Sequence, residues 1–176
     1  MKNKFIKIDN NILRWINRKF RNKIFDKIMP IITSAGNLGI IWIVISVLLL
    51  TKKDYRILGK MIIAALIITT VIGEGIIKNI VKRKRPFYGE EDKELLISAP
   101  ITYSFPSGHT ASSFAVAAVF IGTDNAASFE IIILASLIAF SRIYLAVHYP
   151  SDVIGGGIIG FLCGLFTVIL FLGRIY

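Results

Sequence analysis

The stretch Ile28–Thr51, IMPIITSAGNLGIIWIVISVLLLT, runs for 24 residues without an acidic or basic side chain. Two more such runs follow: Leu95–Thr123, 29 residues with a single histidine at His109, and Val153–Gly173, 21 residues. About 20 apolar residues cross the hydrocarbon core of a bilayer as a helix. The sequence therefore reads as an all-α, polytopic transmembrane helical bundle.

The segment just before the first run has a different character. In Ile8–Met29, isoleucines 8, 12, 16, 24 and 28 recur at helical spacing with Trp15 and Phe20, and basic residues fill the opposite side. Such a helix lies in the membrane interface rather than crossing it. Residues 1–29 are therefore expected to form an interfacial amphipathic helix, and residues 30–176 the transmembrane domain. Reading on from the first run gives about five spans, near 30–50, 57–81, 107–123, 129–147 and 152–173.

Composition agrees with a membrane class. Of 176 residues 55% are hydrophobic, and the mean hydropathy is +0.68. The formal charge of +10 does not indicate a nucleic-acid partner, because the basic residues flank or cap apolar segments. Met1–Met29 holds nine Lys/Arg against Asp9 and Asp26. An anionic bilayer surface is the partner this pattern suits. The lone Cys163 can form no intrachain disulfide.

In an up-and-down bundle the end of span two, the start of span three, the end of span four and the start of span five share one membrane side. Lys78, Arg85, Pro106–His109, Arg142, His148 and Asp152 all fall at those ends, and they include both histidines of the chain.

Lys78 and Arg85, seven residues apart, offer two cations to a phosphate dianion, with arginine as the bidentate donor. Pro86 disfavours helical geometry at Arg85, which should turn off the helix end. Lys78 lies inside a span, where a charge costs roughly 3 kcal/mol at the centre, and Glu74 one turn earlier is placed to pair with it. Lys82, Arg83 and Lys84 read simply as a juxtamembrane basic cluster.

Pro106-Ser107-Gly108-His109-Thr110 opens a helix. Ser107 is suited to its N-cap, and Gly108 lets a ligand approach the first-turn N–H groups, which attract anions. A capped span accounts for Ser107 but gives no reason for His109. In Ser141-Arg142-x5-His148-x3-Asp152, Ser141 and His148 are seven apart and share a face in helical register. Asp152, across the Tyr149-Pro150 break, can accept the imidazole N–H, fix its tautomer and stabilise the cation formed on attack.

These three elements, in this order, resemble the K-x6-RP, PSGH and SR-x5-H-x3-D signatures of the type-2 phosphatidic acid phosphatase family. The match is complete at every signature position from Lys78 to Asp152, nearly half the chain. The family includes undecaprenyl diphosphate phosphatases, glucose-6-phosphatase-like enzymes and soluble vanadium haloperoxidases. The resemblance implies that His148 is the nucleophile, oriented by Asp152. It implies that His109 protonates the leaving oxygen and then activates water. Lys78, Arg85, Arg142, Ser107 and the Gly108 N–H would hold the phosphoryl oxygens, with Glu74 in support.

The expected function is hydrolysis of a lipid phosphomonoester or diphosphate through a phosphohistidine. Undecaprenyl diphosphate, phosphatidic acid, phosphatidylglycerol phosphate and a lipid A phosphate are the candidate substrates. With two histidines and one remote cysteine no zinc cluster is expected, and no P-loop is present, so the expected enzyme is metal-independent and without cofactor. A haloperoxidase would share the anion pocket but has no need of lipid-facing spans. A lipid-phosphate binder or transporter would keep the cations without needing both histidines and Asp152.

Orientation sets sequence against resemblance. Sixteen Lys/Arg fall on the active-site side and five on the other, namely Lys52, Lys53, Arg56, Lys60 and Arg174, which by the positive-inside rule makes the site cytoplasmic. Bacterial relatives acting on undecaprenyl diphosphate face outward. Several of the sixteen belong to the expected pocket and nine to an interfacial helix, so the expectation is a multi-pass cell-membrane protein with an extracytoplasmic site.

Overall fold

The computed structural model describes residues 2–87 and 95–173, with side chains from Ile6 onward. Part of the long polar loop and Arg174 lie outside the described residues. The helices are α1 (Lys2–Phe20), α2 (Lys23–Ala35), α3 (Ile40–Thr51), α4 (Arg56–Thr70), α5 (Lys78–Val81), α6 (Gly108–Gly122), α7 (Ser128–Tyr144) and α8 (Pro150–Leu172). A π-helical segment, Val71–Ile77, joins α4 to α5. Among the described residues there is no strand, as an all-α bundle requires.

Two helical stretches among the described residues, Lys53–Val81 and Pro150–Leu172, are long and apolar enough to cross a membrane. The pair Lys23–Ala35 and Asn37–Thr51, bent by 46°, counts as a third if taken as one span. The expected total of five would also need α6 and α7, which at 15 and 17 residues are shorter than the usual crossing length.

Helix boundaries depart from the sequence reading in three places, each with a local cause. The N-terminal helix was expected to continue to Met29, but the chain breaks at Arg21 and Asn22. There the Asn22 carboxamide oxygen accepts the N–H groups of Ile24 at 3.0 Å and Phe25 at 2.9 Å, and so caps a new helix. Pro30 consequently lies inside α2 and does not open a span.

The expected first span is also interrupted at Gly36–Gly39, where Leu38 (φ 51°) and Gly39 (φ 68°) take left-handed conformations. That bend brings Asn37 to the site described below. Third, α7 stops at Tyr144 rather than Val147, and Ala146 (φ 55°) turns the chain. His148 therefore shares no helix face with Ser141, whose hydroxyl donates to the Ile138 carbonyl at 2.6 Å.

The amphipathic stripe of α1 divides as well. Ile16 is buried and Phe20 half-buried, with Leu13 and Asp9 buried beside them, whereas Ile8, Ile12 and Trp15 are exposed.

The centre of the bundle is α6, buried along Ala115–Val119 and packed against α4, α7 and α8. α8 approaches it through Gly156, Gly160 and Gly164. A Cβ on Gly160 would collide with the Ala111 carbonyl, so the contact is backbone to backbone. Small residues allow such van der Waals packing where lipid removes the hydrophobic drive between helices. Polar ties add to it: Trp42 Nε1 donates to Ser113 Oγ at 3.1 Å, and Ser46 Oγ donates to the Gly59 carbonyl at 2.7 Å. α6 and α8 thus form a rigid pair whose starts, near His109 and Asp152, lie side by side.

Candidate active site

The stretch between α7 and α8 is held by its own backbone. The His148 N–H bonds to the Arg142 carbonyl at 3.3 Å, and Pro150 opens α8. Asp152 sits in the first turn of α8, where its Oδ2 accepts the Tyr149 N–H at 2.8 Å and the Ser104 hydroxyl at 2.5 Å. His148 and Asp152 are both buried.

His148 Nδ1 faces Asp152 Oδ2 at 3.8 Å, too long for a hydrogen bond, and has no other hydrogen-bond partner. On the other side of the ring, His148 Nε2 lies 3.0 Å from Arg85 Nη1. A guanidinium only donates, so Nε2 is the acceptor and a neutral ring keeps its proton on Nδ1, toward Asp152. The lone pair of a nucleophile would therefore sit on Nε2.

Arg85 reaches this position because the helix ends at Val81 and Lys82 (φ 47°) turns the chain. Its guanidinium donates to the carbonyls of Thr102 (2.7 Å), Val147 (2.8 Å) and Tyr103 (3.2 Å) and to the Thr102 hydroxyl (3.2 Å). Lys78 Nζ meets both carboxylate oxygens of Glu74, at 2.6 and 2.7 Å. The π-helical segment carries Glu74 against Gly108, where a Cβ would strike its carboxylate. With any larger residue at position 108 the Glu74 carboxylate would have to shift, a reason for glycine absent from the sequence reading. Arg142 Nη1 donates to the Thr33 hydroxyl, while its buried Nε has no hydrogen-bond partner.

His109 Nε2 lies 2.9 Å from Asn37 Oδ1. Ser107 departs from its expected part. Its hydroxyl makes no capping bond and accepts from Thr110 Oγ1 at 2.9 Å, while its N–H donates to the Asp152 carbonyl at 3.1 Å. Ser107 thus ties the start of α6 to α8.

A cavity of about 1190 Å³ unites most of these groups. Lys78, Arg85, His109, Arg142 and His148 line it, with Glu74 and Gly108; Asp152 and Ser107 lie outside the lining. The cavity continues between the bent α2–α3 pair and α4, past Ile43, Ile63, Leu66, Ile67 and Val71. Cationic and apolar side chains line the same cavity, which fits an amphiphile carrying a phosphate.

Sequence reasoning missed three contributors and misread a fourth. Asn37 and Thr33 were hidden in an apolar run, although an asparagine between glycines inside such a run is itself a signal. Ser104 gave none. Arg83, read as part of a basic cluster, donates to Asp152 Oδ1 (2.8 Å), Ser151 Oγ (2.7 Å) and Asp9 Oδ2 (2.6 Å). The helix break at Lys82 redirects Arg83 inward, and one-dimensional charge patterning could not show that.

The model of the PAP2 superfamily matches residues 55–176. An undecaprenyl-diphosphatase of Sulfolobus acidocaldarius is 35% identical over 121 residues, which are 68% of this chain and 58% of that protein. The match thus spans less than two thirds of that relative's length. Among solved structures, Aquifex aeolicus LpxE superposes with a TM-score of 0.79 at 29% identity, covering 92% of this chain and 94% of that one. A PAP2-type phosphatidylglycerolphosphate phosphatase of Bacillus subtilis superposes with a TM-score of 0.78 at 23% identity, covering 99% and 89%. That second likeness concerns the fold alone.

Proposed function

This chain belongs to the PAP2 superfamily, and on that premise we propose that it is an integral membrane phosphatase which hydrolyses a lipid phosphate through a phosphohistidine on His148. The observation that carries this reading is one cavity lined by three cations, both histidines and many aliphatic side chains. Undecaprenyl diphosphate is the substrate proposed first, since the Sulfolobus relative is named for that activity. Phosphatidic acid and phosphatidylglycerol phosphate are the alternatives.

In the first step His148 Nε2 attacks phosphorus as the bond from phosphorus to the leaving oxygen breaks, and His109 gives that oxygen a proton. Lys78, Arg85 and Arg142, with the Gly108 N–H, hold the remaining phosphoryl oxygens, where phosphoryl transfer needs positive charge and positioning. The Nδ1 proton faces Asp152, so the carboxylate offsets the charge that develops on the ring. In the second step water attacks phosphorus and gives its proton to His109. The N–P bond breaks, and inorganic phosphate leaves with His148 neutral again.

The reaction is proposed to need no metal. Supporting this, the cavity gathers Lys78, Arg85 and Arg142 as its own positive charge.

The site is proposed to face the extracytoplasmic side, with α1 in the interface. Lys78, Arg85 and Arg142 belong to the cavity and Arg83 to a buried network, so none of the four bears on the positive-inside rule. The exposed Ile8, Ile12 and Trp15 support interfacial seating of α1.

Phosphate release from the three lipids, by wild type and by His148→Ala, tests the reading. Release by wild type alone is expected. Binding of the lipids without release by either protein would favour a carrier. Topology is read separately by thiol labelling of Lys53→Cys in a Cys163→Ala background, which should react only from the cytoplasmic side.

A further inference from the structure

We infer that Asp9, on the N-terminal helix, is a positioning residue for catalysis: it holds Arg83, which holds Asp152. The inference rests on the proposed role of Asp152 beside His148.

Asp9 is buried on a helix whose other charged side chains, among those described, are exposed. A buried carboxylate is stable only when paired and hydrogen-bonded. Its partners all lie beside the candidate nucleophile. Oδ1 accepts the Ser151 N–H at 3.0 Å, and Oδ2 accepts the Ser151 hydroxyl at 2.5 Å and Arg83 Nη2 at 2.6 Å. The other arm of the Arg83 fork, Nη1, donates to Asp152 Oδ1 at 2.8 Å and Ser151 Oγ at 2.7 Å. The guanidinium carbon also lies 4.0 Å above the centre of the Tyr149 ring.

Two consequences follow for Asp152. First, its carboxylate is clamped on both oxygens: Arg83 holds Oδ1, while Ser104 and the Tyr149 N–H hold Oδ2. The carboxylate is therefore held in place beside the imidazole, with Oδ2 3.8 Å from His148 Nδ1. Second, the charges balance in favour of the reaction. Asp9, Arg83 and Asp152 together carry one net negative charge, available to offset an imidazolium on His148. Without Asp9, Arg83 would neutralise Asp152 alone, and its Nη2 would lose its carboxylate. Neither Asp9 nor Arg83 lines the cavity, so the effect should appear in turnover and not in substrate binding.

A double-mutant cycle on the detergent-purified full chain, reading phosphate release from undecaprenyl diphosphate, tests this. Asp9→Ala should lower kcat about 10- to 100-fold, the range seen when a supporting hydrogen-bond partner is lost, with KM within about twofold. Asp9→Asn, which keeps the volume and removes the charge, should also lower kcat, and Asp9→Glu should recover more activity than Asn. Should Asp9→Ala fail to elute as folded protein, Asp9→Asn carries the same cycle.

In an Asp152→Asn background the Asp9 substitution should cost nothing further, because it acts only through that carboxylate. A merely structural role would multiply the two losses, and that result overturns the proposal. So does an Asp9 variant with unchanged kcat and a raised KM. If Asp152→Asn alone keeps full kcat, the reading of the site fails first and the inference falls with it.

Discussion

Arg85 Nη1 stands 3.0 Å from His148 Nε2, so a guanidinium proposed to hold the phosphate is bonded to the atom proposed to attack phosphorus. An incoming phosphoryl group meets both at once, its oxygens taking the Arg85 N–H as Nε2 is released to attack. The arginine also anchors to the Val147 carbonyl, next to the histidine. Arg85→Lys keeps the charge but cannot reproduce this fork. It should lower kcat/KM by about 10²-fold or more, as losing one transition-state donor does. Steady-state kinetics on the purified variant would check it.

His109 is held by Asn37 at 2.9 Å from the bend between α2 and α3. As the proposed acid it serves leaving groups that depart poorly. His109→Ala should therefore slow a phosphomonoester of a lipid alcohol, such as phosphatidic acid, more than an activated aryl phosphate, whose phenolate leaves without protonation. Asn37→Leu should shift the same ratio in the same direction, by a smaller factor. Equal losses on both substrates would reduce His109 to a phosphate ligand.

Three cations around one cavity predict the response to ions. Activity should survive EDTA, and vanadate or tungstate should inhibit competitively by occupying the phosphate position. A loss in EDTA reversed by magnesium or zinc would show that a metal supplies the charge assigned here to Lys78, Arg85 and Arg142.

How much of this was written in the sequence depends on the range of each interaction. Among the described residues the apolar run Val153–Gly173 coincides with a helix of crossing length and Ile28–Thr51 with a bent helix pair, whereas Leu95–Thr123 yields only the 15-residue α6. The signature spacings named the residues that meet in the cavity, because Lys78, Arg85, His109, Arg142 and His148 each stand near a helix end. What could not be read is set by turns and contacts across the bundle. Asn22 ends α1 early, the Gly36–Gly39 bend carries Asn37 to His109, and the turn at Ala146 takes His148 off the helix of Ser141. Arg83 looked identical to Lys82 and Lys84 in one dimension. The backbone turn at Lys82 and two distant carboxylates, Asp152 and Asp9, 69 and 74 residues away, distinguish it. Ser107 occupies the cap position that the sequence offers, yet its hydroxyl bonds to Thr110 instead.

The covalent role of His148 is the central claim, and trapping the intermediate tests it most directly. Undecaprenyl diphosphate labelled in its terminal phosphate is mixed with enzyme and quenched in alkali, where the N–P bond of phosphohistidine survives. Wild type should carry transient label on a peptide containing His148, His109→Ala should accumulate it as hydrolysis slows, and His148→Ala should carry none and release no phosphate. Label on any other residue, or turnover by His148→Ala within about tenfold of wild type, would contradict the account, since a lost nucleophile costs orders of magnitude.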